Sequence, residues 1–231
     1  MTGRSRRSSA RVAALVTVAV VSGGCAPLVD GTVVGGSASW PGARLERGVL
    51  RAEDFPPGVR YDRAEADPGS ADGAGGPPPM LSKPTGCTDG LTRVIAGSAE
   101  RGPGSAIEYV VGYDGARISM TVLSWRLDID ALAAEAQRCA RFEAFFDSSS
   151  PGIPMTTSRL TTTSADTLAY QQTMRLGSAE SSVYFWFGNV GSSALFGIAF
   201  PTPNPDIEVK AELPQTFMEI AARQAARLGT G

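Results

Sequence analysis

The sequence predicts an α+β domain: an antiparallel β-sheet of about six strands with two or three helices packed on one face, in the order α-β-β-α-β-β-β-β-α. Three observations carry that expectation. Residues 156–200 fall into runs that alternate with a period of two. Two stretches, 129–146 and 211–228, space their apolar residues three and four apart. Asp114-Gly115 separates two runs rich in β-branched and aromatic residues, the strongest short hairpin signal. Helices that enter between groups of hairpin-linked strands are most economically buried against an antiparallel sheet. At 231 residues and 42% hydrophobic content, one packed domain with tails is the natural count.

Each element has its own local reason. Leu91, Val94 and Ile95 follow Cys87 at four, seven and eight residues, one face of a short helix with Thr88 or Asp89 near its start. Gly102-Pro103-Gly104 ends it, and strands over 106–113 and 116–125 follow. A helix over 129–146 begins after Asp128 with Asp130 in its first turn, both suited to the positive helix end. Leu132, Ala136, Cys139, Phe142 and Phe146 form its apolar stripe, and Pro151 and Pro154 stop it. Four strands come next, over 156–163, 167–176, 182–190 and 193–200. The first, rich in threonine, suits a solvated edge. In the second, Leu168, Tyr170, Gln172, Met174 and Leu176 oppose Thr167, Ala169, Gln171, Thr173 and Arg175, one covered face and one wetter face. Gly191 marks a tight turn, and Pro201, Pro203 and Pro205 break the sheet. The last helix, 211–228, puts Phe217, Ile220, Ala221, Gln224 and Leu228 on one side, and Gly229 closes it.

The first 24 residues have the three parts of an export signal. Arg4, Arg6, Arg7 and Arg11 precede an apolar run over 12–21, about half of the ~20 residues a membrane-spanning helix needs. The run ends in Ser22-Gly23-Gly24-Cys25, which resembles the lipobox of bacterial lipoproteins. That resemblance implies that Cys25 becomes the first residue of the mature chain and carries the lipid, on the extracytoplasmic side of the cell membrane. Ser22 departs from the pattern, where an aliphatic residue is usual. The competing reading is an ordinary secretory signal with Cys25 incidental. Loss of 1–24 removes four positive charges and no negative ones, so the formal charge of −2 becomes −6. A chain so acidic is a poor partner for nucleic acid, whose affinity rests on Lys and Arg contacts to phosphates. Residues 25–49 read as a lipidated cysteine and a flexible tether, 66–79 as a disordered Gly/Pro loop, and 50–231 as the domain.

With no histidine, Ser-His-Asp and Cys-His nucleophilic sites are excluded, as is a His-ligated zinc. No metal or cofactor site is read from the sequence. Cys87 and Cys139 remain after Cys25, in a compartment where disulfides persist. A structural bridge between them is expected, with buried free thiols or a redox pair as alternatives; the latter lacks the C-x-x-C spacing. A lipobox, a Gly/Pro tether, Asp54-Phe55-Pro56-Pro57-Gly58, a cysteine opening a helix, a hairpin, a helix carrying Cys139, four strands and a closing amphipathic helix together resemble mycobacterial lipoproteins of unknown function. Those are similar in turn to the extracytoplasmic sensor domain of PknH-type Ser/Thr kinases. The resemblance spans roughly residues 50–231. It implies a sheet with a cleft and a sensing or binding role, and no catalytic residue. Such sensors carry two disulfides, whereas this chain can make one.

The candidate binding residues are aromatic. In Val183-Tyr184-Phe185-Trp186-Phe187, Tyr184 and Trp186 face one way and the other three the opposite way. If helices cover the three, Tyr184 and Trp186 emerge as an exposed patch for a ligand or partner. A central strand covered on both sides competes with that reading and is preferred. Tyr109 and Tyr113 are spaced to extend the same patch or to join the core. Asp128, Asp130 and Asp147 flank a helix and read as caps rather than as a metal or acid–base site. The functional expectation is a non-catalytic, lipid-anchored binding or sensor-like module for a small or apolar ligand. An adaptor docking on another envelope protein is the alternative, and a histidine-independent hydrolase a weaker third. Cys25→Ser is expected to abolish lipid labelling and to release the protein from membranes; continued partitioning into the detergent phase would contradict the anchor.

Overall fold

The computed structural model describes residues 41–64, 80–93, 104–162, 164 and 166–230, all within the compact unit formed by residues 38–231. The export signal, Cys25, Trp40 and the 66–79 loop lie outside the described residues. The fold is α+β; the described residues form a nine-stranded antiparallel sheet and three α-helices. The helices are α1 (Pro41–Gly48), α2 (Ile129–Arg138) and α3 (Gln215–Thr230). The strands are β1 (Arg60–Ala64), β2 (Leu81–Lys83), β3 (Ala106–Tyr113), β4 (Gly115–Leu123), β5 (Arg141–Phe145), β6 (Ile153–Leu160), β7 (Thr167–Leu176), β8 (Ala179–Val190) and β9 (Ser193–Thr202). Their spatial order is β1-β3-β4-β9-β8-β7-β6-β5-β2. The pairing of β4 with β9 therefore joins an outer β1-β3-β4 unit to the β5–β9 meander.

All six expected strands are present, and β1, β2 and β5 raise the number to nine. The Asp114-Gly115 hairpin forms with Tyr113 opposite Ala116, and Gly115 takes a φ of +93°, which a glycine adopts without steric cost. The Thr-rich β6 is largely solvated, yet it lies between β5 and β7; β1 and β2 are the edges.

Several expectations are corrected. The helix predicted over 129–146 ends at Arg138, because 141–145 alternates in a strand that buries Phe142 and Ala144. Phe146, past that strand, is 72% exposed rather than part of an apolar stripe. Residues 87–92 form turns and Arg93 is 3-10 helical, its N–H donating to the Asp89 carbonyl at 3.0 Å; Val94 and Ile95, the rest of the expected helical face, lie outside the described residues. The last helix starts at Gln215 instead of 211, since Pro214 disfavours helical backbone at the residue before it. Residues 41–48, within the expected tether, form α1, and Leu45 and Val49 are buried.

The helices do not share one face. Direct cross-strand partners put Tyr109, Met120, Gly197 and Trp186 in one row, so one face of the sheet carries them all. There Leu45 of α1 and Phe217, Ile220 and Ala221 of α3 join Val111, Ile118 and Leu195 in one core. On the other face Leu132 and Ala136 of α2, with Leu91 and Leu127, pack on Leu168, Phe185, Phe187 and Phe196. Asp128 caps α2 as expected, accepting from the Ala131 N–H at 2.9 Å. Gly197 permits the docking of α3: a Cβ there would lie 2.9 Å from the Phe217 ring and from the Met120 sulfur. Cys87, after β2, is disulfide-bonded to Cys139 at the end of α2, with Cα atoms 5.5 Å apart. Phe142, Ala144 and Ile153 surround the bridge. No helix among the described residues is long and apolar enough to cross a membrane.

Gln224 is the polar residue on the buried stripe of α3. Its side-chain carbonyl accepts from the Leu50 N–H at 2.9 Å, and its amide donates to the Gly48 carbonyl at 2.6 Å. It thereby satisfies the backbone where α1 ends. Beside it Arg223 donates to the Asp54 carbonyl and stacks 5.6 Å from the centre of the Phe55 ring. Gln224→Met keeps the shape and leaves both backbone groups buried and unpaired. We expect it to lower stability by about 2–4 kcal/mol in urea unfolding, one desolvation penalty for each group.

Candidate functional site

An apolar groove of about 540 Å³ runs along one side of α3 on the Trp186 face of the sheet. Its helical wall is Gln215, Met218, Ala222 and Ala225, spaced three, four and three apart. That stripe extends about 15 Å at the helical rise per residue. Trp186 and Thr167 form the floor, and Thr161, Thr162 and Ser164 of the β6–β7 connection form the facing wall. The groove lies along the margin of α3, which packs chiefly on β8 and β9, while α1 packs on β3. The volume falls within the range of sites that hold small organic ligands.

Trp186 lies in its position because residue 188, two along the strand and on the same face, is glycine. A Cβ on Gly188 would fall 2.3 Å from the six-membered ring of the indole, so a side chain there would push the ring into the groove. Two of the hydroxyls beside the groove, those of Thr162 and Thr167, are engaged within their own loop. Thr162 Oγ1 donates to the Thr167 carbonyl at 3.2 Å, and Thr167 Oγ1 donates to the Ser164 carbonyl at 2.7 Å. Glu219 is the charged side chain in the lining, and it stands exposed at the rim. One carboxylate without a second acid or a base gives the groove no acid–base pair.

Of the aromatic residues singled out in the sequence, Trp186 alone lines the groove. Tyr184 and Trp186 share a face with Tyr109 and Tyr113, and all four are buried. Tyr109 sits beneath the chain that follows α1: its ring stacks on Tyr61 with centroids 5.6 Å apart and meets Phe55 at 6.2 Å. Tyr61 donates its hydroxyl to the Leu50 carbonyl at 2.9 Å, whereas the Tyr109 hydroxyl has no hydrogen-bond partner among the described residues. The sequence reading missed Met218, Ala222 and Ala225. Their signal was present as a second stripe of α3, next to the one that enters the core. Among the described residues no group of three or more acidic or cysteine side chains is placed to hold a metal.

No protein-family model and no curated protein matches the chain. Among solved structures it is similar to an uncharacterised protein (Rv0999 ortholog) from Mycobacterium smegmatis. The identity is 14% and the TM-score 0.45, with 82% of this chain and 95% of that one covered.

Burial holds the Tyr109 phenol neutral well beyond its ordinary value, and the neighbouring Tyr61 acts in the same direction. Because the folded state resists ionisation, the unfolded state loses its proton first. Stability is then fully present below about pH 10 and falls as the pH rises past that value. Tyr109→Phe removes an unpaired hydroxyl at nearly constant volume. We expect it to change stability at neutral pH by no more than about 1 kcal/mol and to flatten the alkaline loss, measured by urea unfolding between pH 8 and 11. A large loss at neutral pH would show that the hydroxyl has a partner.

Proposed function

We propose that this chain is a lipid-anchored, non-catalytic envelope protein that holds a small apolar ligand in the groove beside Trp186. The groove itself carries the reading: an elongated, mostly apolar trough, floored by an aromatic ring, with the Thr162 and Thr167 hydroxyls beside it already bonded within the protein. Burying a ligand's hydrocarbon there is favourable by about 25 cal/mol per Å² removed from water. The Cys25 lipobox supports attachment at the membrane, and the resemblance to PknH-type sensor domains supports binding over catalysis. The absence of histidine agrees with that reading.

Filling the groove tests it. Ala222 faces the trough from the middle of α3, so Ala222→Phe occupies the space without touching the core stripe. An uncharged apolar fluorophore such as N-phenylnaphthylamine is expected to bind the mature chain with enhanced emission. Ala222→Phe is expected to weaken that binding at least tenfold, about 1.4 kcal/mol, with the unfolding midpoint unchanged. Equal binding by both proteins would remove the groove from consideration.

A further inference from the structure

A second, chemically opposite site lies on the other face of the sheet, at the outer β1-β3-β4 unit. Arg60, Gly112 and Arg117 are direct partners across three adjacent strands, so two arginines flank a position that has no side chain. Strands sit about 4.8 Å apart, which separates the two arginine Cα atoms by about 10 Å. Two long side chains can converge across that span, and both line one pocket of about 160 Å³. Its roof is Ile207 and Asn204, from the connection that follows β9. That roof is fastened to the hairpin turn. The Asn204 N–H donates to Asp114 Oδ1 at 3.1 Å, the Asp114 N–H donates to the Val209 carbonyl at 2.9 Å, and Ala211 returns a bond to the Asp114 carbonyl.

We propose that this notch binds a single oxyanion, the phosphate or carboxylate group of an envelope molecule. The volume is below the range of whole-ligand sites and suits one small group. Gly112 keeps the floor open: a Cβ there would meet Ile207 at 3.4 Å and the Arg60 side chain at 3.5 Å. Among the described residues neither Arg60 nor Arg117 has an ion pair or a side-chain hydrogen bond, so both guanidinium groups keep their donors for a ligand. Arginine is the side chain whose planar fork matches carboxylate and phosphate oxygens two at a time. Asp62, one row further along β1, is the acidic residue in the lining, and it leaves the pocket with a net charge of one positive. This local sign opposes the negative charge of the chain as a whole. The inference stands on residues that the groove does not use.

The test is a titration of the uniformly ¹⁵N-labelled mature chain carrying Cys25→Ser. Inorganic phosphate is added in one series and acetate in another, at constant ionic strength so that screening stays fixed. The Gly112 amide and the arginine Nε signals are followed. Saturable shifts with a Kd on the order of 1 mM are expected at these positions. Arg60→Gln and Arg117→Gln should each weaken binding by about tenfold. Asp62→Asn should strengthen it by about threefold, as expected for one exposed like charge removed. Gly112→Val should abolish it while both arginines remain; if that variant does not fold, the exposed arginine variants decide. Tighter binding of phosphate identifies a phosphoryl-bearing ligand, and tighter binding of acetate a carboxylate-bearing one. The proposal is overturned if neither anion produces a saturable shift at Gly112 by about 50 mM, or if both arginine variants titrate like the parent.

Discussion

The strands at the middle of this sheet are apolar on both sides, and that doubled demand for cover organises everything around them. In β8, Phe185 and Phe187 face one way and Tyr184 and Trp186 the other; in β9, Phe196 opposes Leu195. A sheet with helices on one face would leave half of these rings in water, at a cost of roughly 1.5–3 kcal/mol for each large side chain. Cover therefore comes from segments far apart in the sequence. α1 and α3 lie on one face, and α2 with the turn at Leu91 lies on the other. Gly197 and Gln224 are the local conditions for the first of these layers, one by omitting a side chain and the other by satisfying backbone in a dry interface.

Where the cover stops, the two candidate surfaces begin. A helix with its side chains is about 10 Å wide and spans only about two strands, so two helices do not roof nine. The margin of α3 over β7 and β6 leaves the apolar groove. On the opposite face α2 packs over the β7–β9 side of the sheet, and the outer β1-β3-β4 strands carry polar side chains with the notch among them. The two candidate surfaces are thus complementary products of one architecture. One has apolar walls and a single rim carboxylate, and the other has two arginines around a glycine.

The long strands were legible because their alternation runs for eight residues or more and their turns carry glycine at Gly115 and Gly191. The short ones were not. β2 has three residues, and β5 has five, of which Phe142 also fits a helical spacing with the Cys139 and Ala136 that precede it. Alternation also shows which residues share a face and not which face a helix will take, so the division of helices between two faces could not be derived from it. The preference for a β8 strand covered on both sides agrees with the burial of Tyr184 and Trp186, and the pairing of Cys87 with Cys139 was reached from counting and compartment. Trp186 was visible as a ring in a strand. The rest of the groove was hidden, because Met218, Ala222 and Ala225 are ordinary helix residues until the sheet is known to end beneath them. Arg60 and Arg117, far apart in sequence, become neighbours only through the β1-β3-β4 register.

The contact between Gln224 and the end of α1 spans 174 and 176 positions of the chain. A ribosome delivers Gly48 and Leu50 long before it delivers Gln224, and loops of that length close slowly compared with local hairpins. The nascent chain can pair β3 with β4 and β6 with β7 early, while the Gly48 carbonyl and the Leu50 N–H wait for Gln224. The helix that latches α1 is synthesised after every strand of the sheet, so a ribosome that stops before Gln224 leaves α1, and not merely α3, unfastened.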